Sequence, residues 1–427
     1  MSANTYDTGI DYPQLAYGTS LGFATVAHND GYNGTSFAPL YQQPEVVKDF
    51  SSRAVWVSAL VGKELTANFY AHPQNVTAYH MGCGDGGRQG LRAAQLHPDL
   101  FDGIIAGAPA INTDMLTIWY AYALNILGLD ESSETFLRDR DWMHVASEVL
   151  RQCDGIDGAM DGILEDTRSC KLDTRKLGCG NSHCRHGLTD AQILAVEQIF
   201  SPYKHDSITL HPGAAYGNEI GLASVLYGSP AQNAVKDWYR YIFPGNLEWQ
   251  FKDFKTEDGY DSLKANTGEL HAMDPDLRAF RDSGGKILQW HGQADPIISI
   301  LNSDYYFDLV RNNTSPNATD TSALDDWYRY FRLSGTGYCG GGPGANYIGQ
   351  SAQTGAEEKA GDNVLLAMVA WVEKGAQPDT LRGVKWNDDD PTKGVHFFRK
   401  HCKHPRVGVY NGTADGKDED GWKCIEK

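Results

Sequence analysis

The stretch Gly82-Cys83-Gly84-Asp85-Gly86-Gly87-Arg88-Gln89-Gly90 has the composition of a nucleophile turn, but its apex residue carries no side chain. Val76–Met81 before it is short and partly apolar, as a strand is, and Leu91–Leu96 after it reads as helix. A strand, a tight Gly-rich turn and a helix together present an acylatable Ser at the apex of the turn. Here the apex is Gly84, which supplies neither nucleophile, acid nor base. Asp85 beside it reads as a structural carboxylate, and His80 on the preceding strand could point either way. Acyl transfer by a Ser-His-Asp constellation also needs an imidazole to take the hydroxyl proton and a carboxylate to orient the ring.

A second chemistry is written in Cys153-Asp154-Gly155-Ile156-Asp157-Gly158-Ala159-Met160-Asp161-Gly162-Ile163. Three Asp spaced by three and four residues, with Gly between them, can wrap a hard cation in oxygen. The twelve-residue spacing and terminal Glu of an EF-hand are absent, and a solvated acidic turn is the competing reading. Cys153 and Cys170 bracket this loop, Cys179 and Cys184 could close a small one, and Cys402 and Cys424 would staple the C-terminal tail. All eight cysteines can be paired without remainder, which points to an oxidising compartment. Zinc held by Cys179 and Cys184 with His183 and His186 is the alternative for that pair.

The elements that must position these groups alternate. Gly22–Ala27, Gly103–Gly107 and Lys286–His291 read as buried strands, and Trp327–Leu333 as a partly alternating one. Asn363–Lys374 is an amphipathic helix, with Val364, Leu365, Met368 and Trp371 at helical spacing. Strands alternating with helices predict an α/β sandwich. The stretch from about 112 to 273 breaks the alternation and reads as an inserted lid domain. Its aromatics Trp119, Tyr120, Tyr122, Trp238, Tyr239 and Tyr241 either line a cleft or pack its core.

The formal net charge of −18 argues against nucleic acid or anionic membrane as partner. No apolar run is long enough to span a bilayer, and Met1–Tyr6 has neither the basic start nor the apolar core of a signal peptide. Sequons at Asn33, Asn75, Asn312, Asn313, Asn317 and Asn411 agree with the cysteines in pointing to the secretory pathway or the cell exterior.

The turn resembles the Gly-Cys-Ser-x-Gly-Gly-Arg elbow of the fungal tannase/feruloyl esterase family, with Gly84 in place of Ser. Phe101–Ala110, His291-Gly292-Gln293-Ala294-Asp295-Pro296-Ile297-Ile298 and Gly337-Tyr338-Cys339-Gly340-Gly341-Gly342 resemble its following strand, acid loop and base segment. The resemblance implies an α/β-hydrolase-like sheet sandwiched by helices, formed by residues 1–111 and 274–427, with a lid at 112–273. It places the triad positions at Gly84, Asp295 and Tyr338, so nucleophile and base are both substituted. Tyr, with a reference pKa near ~10, is a poor base at neutral pH. The resemblance further implies a Cys83–Cys339 disulfide clamping the two loops and a local Cys179–Cys184 bridge. It implies structural calcium on the carboxylates of Asp154, Asp157 and Asp161 and the carbonyls of Ala159 and Ile163. His80, Trp119 and Tyr120 are the cleft candidates. The family pattern is joined near Gly9-Ile10-Asp11, so an N-terminal part of the core that brings oxyanion contacts has no counterpart in Met1–Thr8.

These readings predict an enzyme without an organic cofactor that acts on an aromatic or polyketide-type small molecule in fungal secondary metabolism. It would work by cyclase, pericyclase, lyase or isomerase chemistry, with Tyr338 and Asp295 moving protons. The alternatives are a carboxylic ester hydrolase of the feruloyl esterase/tannase type in inactive form, and a ligand-binding pseudoenzyme.

Overall fold

The computed structural model describes residues 9–71, 76–179, 187–316, 321–351, 360–412 and 416–426. At its centre are four parallel strands: β1 (Tyr79–Cys83), β2 (Gly103–Gly107), β3 (Lys286–Gly292) and β4 (Tyr328–Leu333), in that spatial order. Cys83, Gly107, Trp290 and Phe331 lie on one rung across all four, which brings the carboxyl ends of the strands level.

Side chains alternate between the faces of a sheet, and both faces here are covered. Ile104, Ala106, Ile287, Tyr328 and Tyr330 pack with Leu91 and Ala94 of helix α2 (Asp85–Leu96) and with Tyr306, Phe307 and Val310 of the helix Ile300–Thr314. Met81, Ile105, Leu288, Trp290 and Phe331 face the other way, onto Val364, Leu365, Met368 and Trp371 of helix α4 (Val364–Lys374). Burial on both faces explains why these strands read as apolar runs rather than as alternating patterns. Asn363 starts α4 where expected, its Oδ1 accepting from the amides of Leu365 and Leu366.

The sheet-forming alternation stops after β2. Helix α3 (Thr113–Leu127) follows, then helices Asp139–Cys153, Asp190–Ile199, Glu219–Tyr227, Ser229–Asp237 and Asp258–Ala265 and a short antiparallel pair, Tyr203–His205 with Ile208–His211, before β3. These elements share one apolar cluster that includes Trp119, Trp142 and Trp238. Trp119, Tyr120, Trp238 and Tyr239 are all buried in it, so core packing rather than an open cleft accounts for most of these rings. Tyr239 stacks on Trp249 at 4.1 Å between centroids, and Tyr122 on Tyr203 at 4.3 Å. Beyond α4, Thr380–Trp386 pairs antiparallel with Val395–Cys402, and Val407–Tyr410 with Trp422–Ile425, clipped by Cys402–Cys424.

One expected strand is absent. Among the described residues Gly22–Ala27 joins no ladder, and it is only partly buried. It packs against helix α1 (Ala54–Phe69), where a Cβ on Gly62 would lie 2.7 Å from Val26 Cγ2, and against β1, where the Phe23 ring meets Tyr79 edge-on at 6.2 Å between centroids. Among the described residues, no helix is long and apolar enough to cross a membrane.

Leu288 is fully buried in the layer under α4. Leu288→Ala is expected to cost about 2–5 kcal/mol, read as a lower urea midpoint with an unchanged slope.

Candidate active site

The turn after β1 keeps the backbone of an elbow although its apex has no side chain. Gly84 sits at φ 62°, ψ −117°, and α2 begins at the next residue. Its N–H donates to the Gly107 carbonyl at 3.0 Å, and its carbonyl accepts from Ala110 at 3.0 Å and Arg88 at 3.1 Å. The flanking turn tolerates nothing larger than glycine: a Cβ on Gly87 would lie 2.4 Å from the Gly107 carbonyl oxygen.

Asp85 is structural, as expected. It is buried and takes Arg88 Nε at 2.6 Å and Nη2 at 3.0 Å on its two oxygens. Burial pushes its carboxyl up, and the Arg88 guanidinium works against that shift. Arg88 spends its other donors on the carbonyls of Ser51 and Phe50, each at 3.0 Å.

The acid loop follows β3. Asp295 Oδ1 accepts from the amides of Ile297 at 2.8 Å and Ile298 at 3.0 Å, and Oδ2 lies 3.2 Å from His291 Nε2. His291 is fully enclosed, with Nδ1 2.7 Å from Ser303 Oγ and Nε2 2.9 Å from the Ile298 carbonyl. A ring pinned at both nitrogens positions the loop and cannot swing out as a base. The base segment follows β4: Tyr338 is half-buried against the aromatic cluster, next to Cys339. Cys83 and Cys339 are bonded, with 5.9 Å between their Cα atoms, so their neighbours Gly84 and Tyr338 are held at one place. The loops after β3 and β4 are also laced together, Gln293 N–H to Leu333 and Ala294 N–H to Thr336, both at 2.9 Å. The three positions to which the resemblance assigns a triad, Gly84, Asp295 and Tyr338, thus stand at the carboxyl ends of the strands, where open α/β sheets bind ligands.

Trp119 and Asp295 line a cavity of about 10 Å³, room for one water, together with Asn218 and Ser299. Among the described residues Trp119 Nε1 and Ser299 Oγ have no hydrogen-bond partner. The Trp119 ring stacks on His211 at 4.6 Å, and Tyr120 donates to the Ile297 carbonyl at 2.7 Å. His80 stands apart. Its Nε2 is 2.8 Å from the Gly86 carbonyl, its ring tilts on Phe101, and burial pushes its pKa down to about 3. Asn218, which donates to the Ala294 carbonyl at 2.8 Å, and Ser299 escaped the sequence reading. The one available signal was that Asn218 precedes a helix, where its side chain caps Gly221.

The acidic loop is closed by Cys153–Cys170. Its carboxylates accept backbone amides: Asp154 from Gly162 at 2.9 Å, Asp157 from Ala159 at 2.9 Å and Glu165 at 3.2 Å, Asp161 from Ile163 at 3.1 Å. Asp161 also pairs with Arg399 at 2.6 Å. Burial pushes Asp157 up to about 6 and raises Asp154, and the charge of Asp161 raises both further. A hard cation would relieve that crowding. Among the described residues no group of three or more His, Cys, Asp or Glu side chains is gathered as a metal site. The loop is tied to the acid loop through Gln293, which donates to the Glu165 carbonyl at 2.5 Å and accepts from Thr167 at 3.1 Å. Cys179 is disulfide-bonded; Cys184, His183 and His186 lie outside the described residues.

The model of the family described as tannase and feruloyl esterase matches residues 2–217 and 214–425. The chain belongs to the tannase and feruloyl esterase family. It is 40% identical over 422 residues to a probable feruloyl esterase B-1 of Aspergillus terreus, covering 97% of this chain and 78% of the relative. It is 41% identical over 419 residues to a probable feruloyl esterase B-2 of Aspergillus oryzae, with the same coverage. Among solved structures, feruloyl esterase B from Aspergillus oryzae superposes on all of this chain and 84% of its own, with a TM-score of 0.92 at 39% identity. The tannin acyl hydrolase of Aspergillus niger, 21% identical with a TM-score of 0.73, shares the fold. The fold is therefore that of the α/β-hydrolases in this family.

The Cys83–Cys339 bridge closes a loop of 256 residues. Replacing both cysteines by Ser is expected to lower stability by roughly 2–5 kcal/mol, measured by chemical denaturation with the other disulfides oxidised.

Proposed function

We propose that the chain is a carboxylic ester hydrolase of the feruloyl esterase type in inactive form, which holds an aromatic ester at the carboxyl ends of its strands without forming an acyl-enzyme. The observation that carries this reading is the elbow itself: Gly84 keeps the strained φ and ψ of an apex residue and offers no atom to acylate. The relatives bear hydrolase names, and the cyclase, lyase or isomerase chemistry suggested by the sequence gives way to that reading. Asp295 and Tyr338 remain in place, but both oxygens of Asp295 are already engaged by the Ile297 and Ile298 amides and by His291. Taking a proton from a hydroxyl at neutral pH requires a base titrating near that pH, and position 338 holds a phenol, a side-chain type with a reference pKa near ~10. The disulfides support residence in an oxidising compartment.

The unmodified protein should bind methyl ferulate by calorimetry and release no methanol from it. A serine-directed fluorophosphonate should leave it unlabelled. Gly84→Ser alone should restore no turnover. Gly84→Ser with Tyr338→His should give a trace, because it returns nucleophile and base to a clamped turn. Brisk hydrolysis by the unmodified chain would overturn the proposal.

We also propose that Asp154, Asp157 and Asp161, with the carbonyls of Ala159 and Ile163, hold a structural calcium ion. Support comes from the burial of Asp154 and Asp157 and from the like charge of Asp161 beside them. Ligands that bind only the folded state raise its stability, so calcium should raise Tm and EDTA should lower it. Asp157→Asn should blunt that response. A Tm indifferent to calcium, with no metal found by elemental analysis, counts against it.

A further inference from the structure

Helix α1 is apolar on two sides. Its inner side seats Val55 and Ala59 with Ala93, Leu100 and Phe101. A helix at the surface of a folded domain turns its polar side to water. The outer side of α1 does not. Its eight exposed residues are Trp56, Val57, Leu60, Val61, Glu64, Leu65, Asn68 and Phe69, and six of them are large and apolar. Their exposure runs from 38% at Trp56 to 80% at Phe69. Among the described residues, each other helix exposes at most one large apolar side chain.

The patch extends past the helix and is held in shape. Tyr70 follows it, 59% exposed, with its ring edge-on to Phe69 at 4.9 Å between centroids. Val26 flanks it beside Gly62. At the other end Trp56 stacks on His97 at 5.3 Å. Together these side chains leave on the order of 800 Å² open to water, where the largest apolar patch of an ordinary monomer covers about 300–600 Å². A standard interface takes about 800 Å² from each partner, with aromatic rings at its core.

The spacing of the face selects the partner. Val57, Val61, Leu65 and Phe69 stand four residues apart and form one ridge along the helix. In an antiparallel pair with its centre between residues 61 and 65, Val61 meets Leu65 and Val57 meets Phe69. Each smaller side chain then opposes a larger one. A two-fold interface has this property, residue i contacting j and j contacting i. Charge agrees: a chain of net charge −18 repels its own copies, but Glu64 is the one formal charge among the eight exposed residues of this helix.

We propose that the outer face of α1 is the interface of a homodimer, in which α1 crosses α1 of a second copy about a two-fold axis. The dimer is independent of the function proposed for the elbow.

Sedimentation equilibrium of the full chain at micromolar concentration should give twice the mass of one chain. Val61→Glu and, separately, Leu65→Glu place a carboxylate beside the axis. Each should weaken the dimer at least about tenfold, with an unchanged far-UV circular dichroism spectrum because both side chains are exposed. Leu194→Glu, on the helix Asp190–Ile199, alters an apolar residue that is 54% exposed elsewhere and should leave the dimer intact. The register is read by mixing the Val61→Cys and Leu65→Cys variants under oxidising conditions: they should link to each other in preference to themselves. A chain that sediments as a monomer, with the face left to its own termini or to an unrelated protein, would overturn the proposal. So would a dimer that withstands both glutamates, or cysteines that link without that preference.

Discussion

The paired hydrogen bonds between Gly84 and the loop after β2 set the geometry of everything above the sheet. Gly84 donates to Gly107 and accepts from Ala110, so the apex of the turn is fastened to the neighbouring strand through its backbone alone. A backbone lock does not depend on which side chain sits at the apex. That is why a residue without one can occupy the elbow and leave its shape unchanged. The close packing of Gly87 against the Gly107 carbonyl and the Asp85–Arg88 pair beneath it both require that lock to be in register.

On the function proposed above, chemistry and architecture come apart in this molecule. A Ser-His-Asp site uses the elbow to aim a hydroxyl, the acid loop to steady an imidazole and the disulfide to bring the two together. The aiming, steadying and clamping parts all stand here. Asp295 gives its oxygens to its own loop and to a sealed histidine, and the position that the resemblance assigns to the base holds the half-buried phenol of Tyr338. A buried carboxylate engaged in this way stabilises the loop that carries it, which gives the scaffold a reason to persist apart from turnover.

Much of this could be read from sequence wherever the signal was local. Lys286–His291 and Gly103–Gly107 announced themselves as short apolar runs because both faces of the sheet are covered. Asn363 announced the start of α4 because a cap is set by its immediate neighbours. Gly22–Ala27 looked the same as those strands, yet among the described residues it joins no ladder: its composition suits packing, and it packs by side chains on α1 and on Tyr79 of β1. Ring content in the aromatic insertion leaves cleft and core both open, with core packing the better account of any single ring, and the fold buries Trp119, Trp238 and Tyr239 together. The Gln89–Asp30 hydrogen bond was invisible, because its members lie 59 residues apart and only tertiary structure brings them together.

The bridge between Cys83 and Cys339 has a consequence for the molecule as a covalent object. It encloses β2, β3, β4 and the whole helical insertion within one ring of polypeptide. A single cut anywhere in that ring opens it without dividing the protein. A nicked chain would run as one species under oxidising conditions and as two only after reduction, its two halves of the elbow still held face to face by the sulfur link.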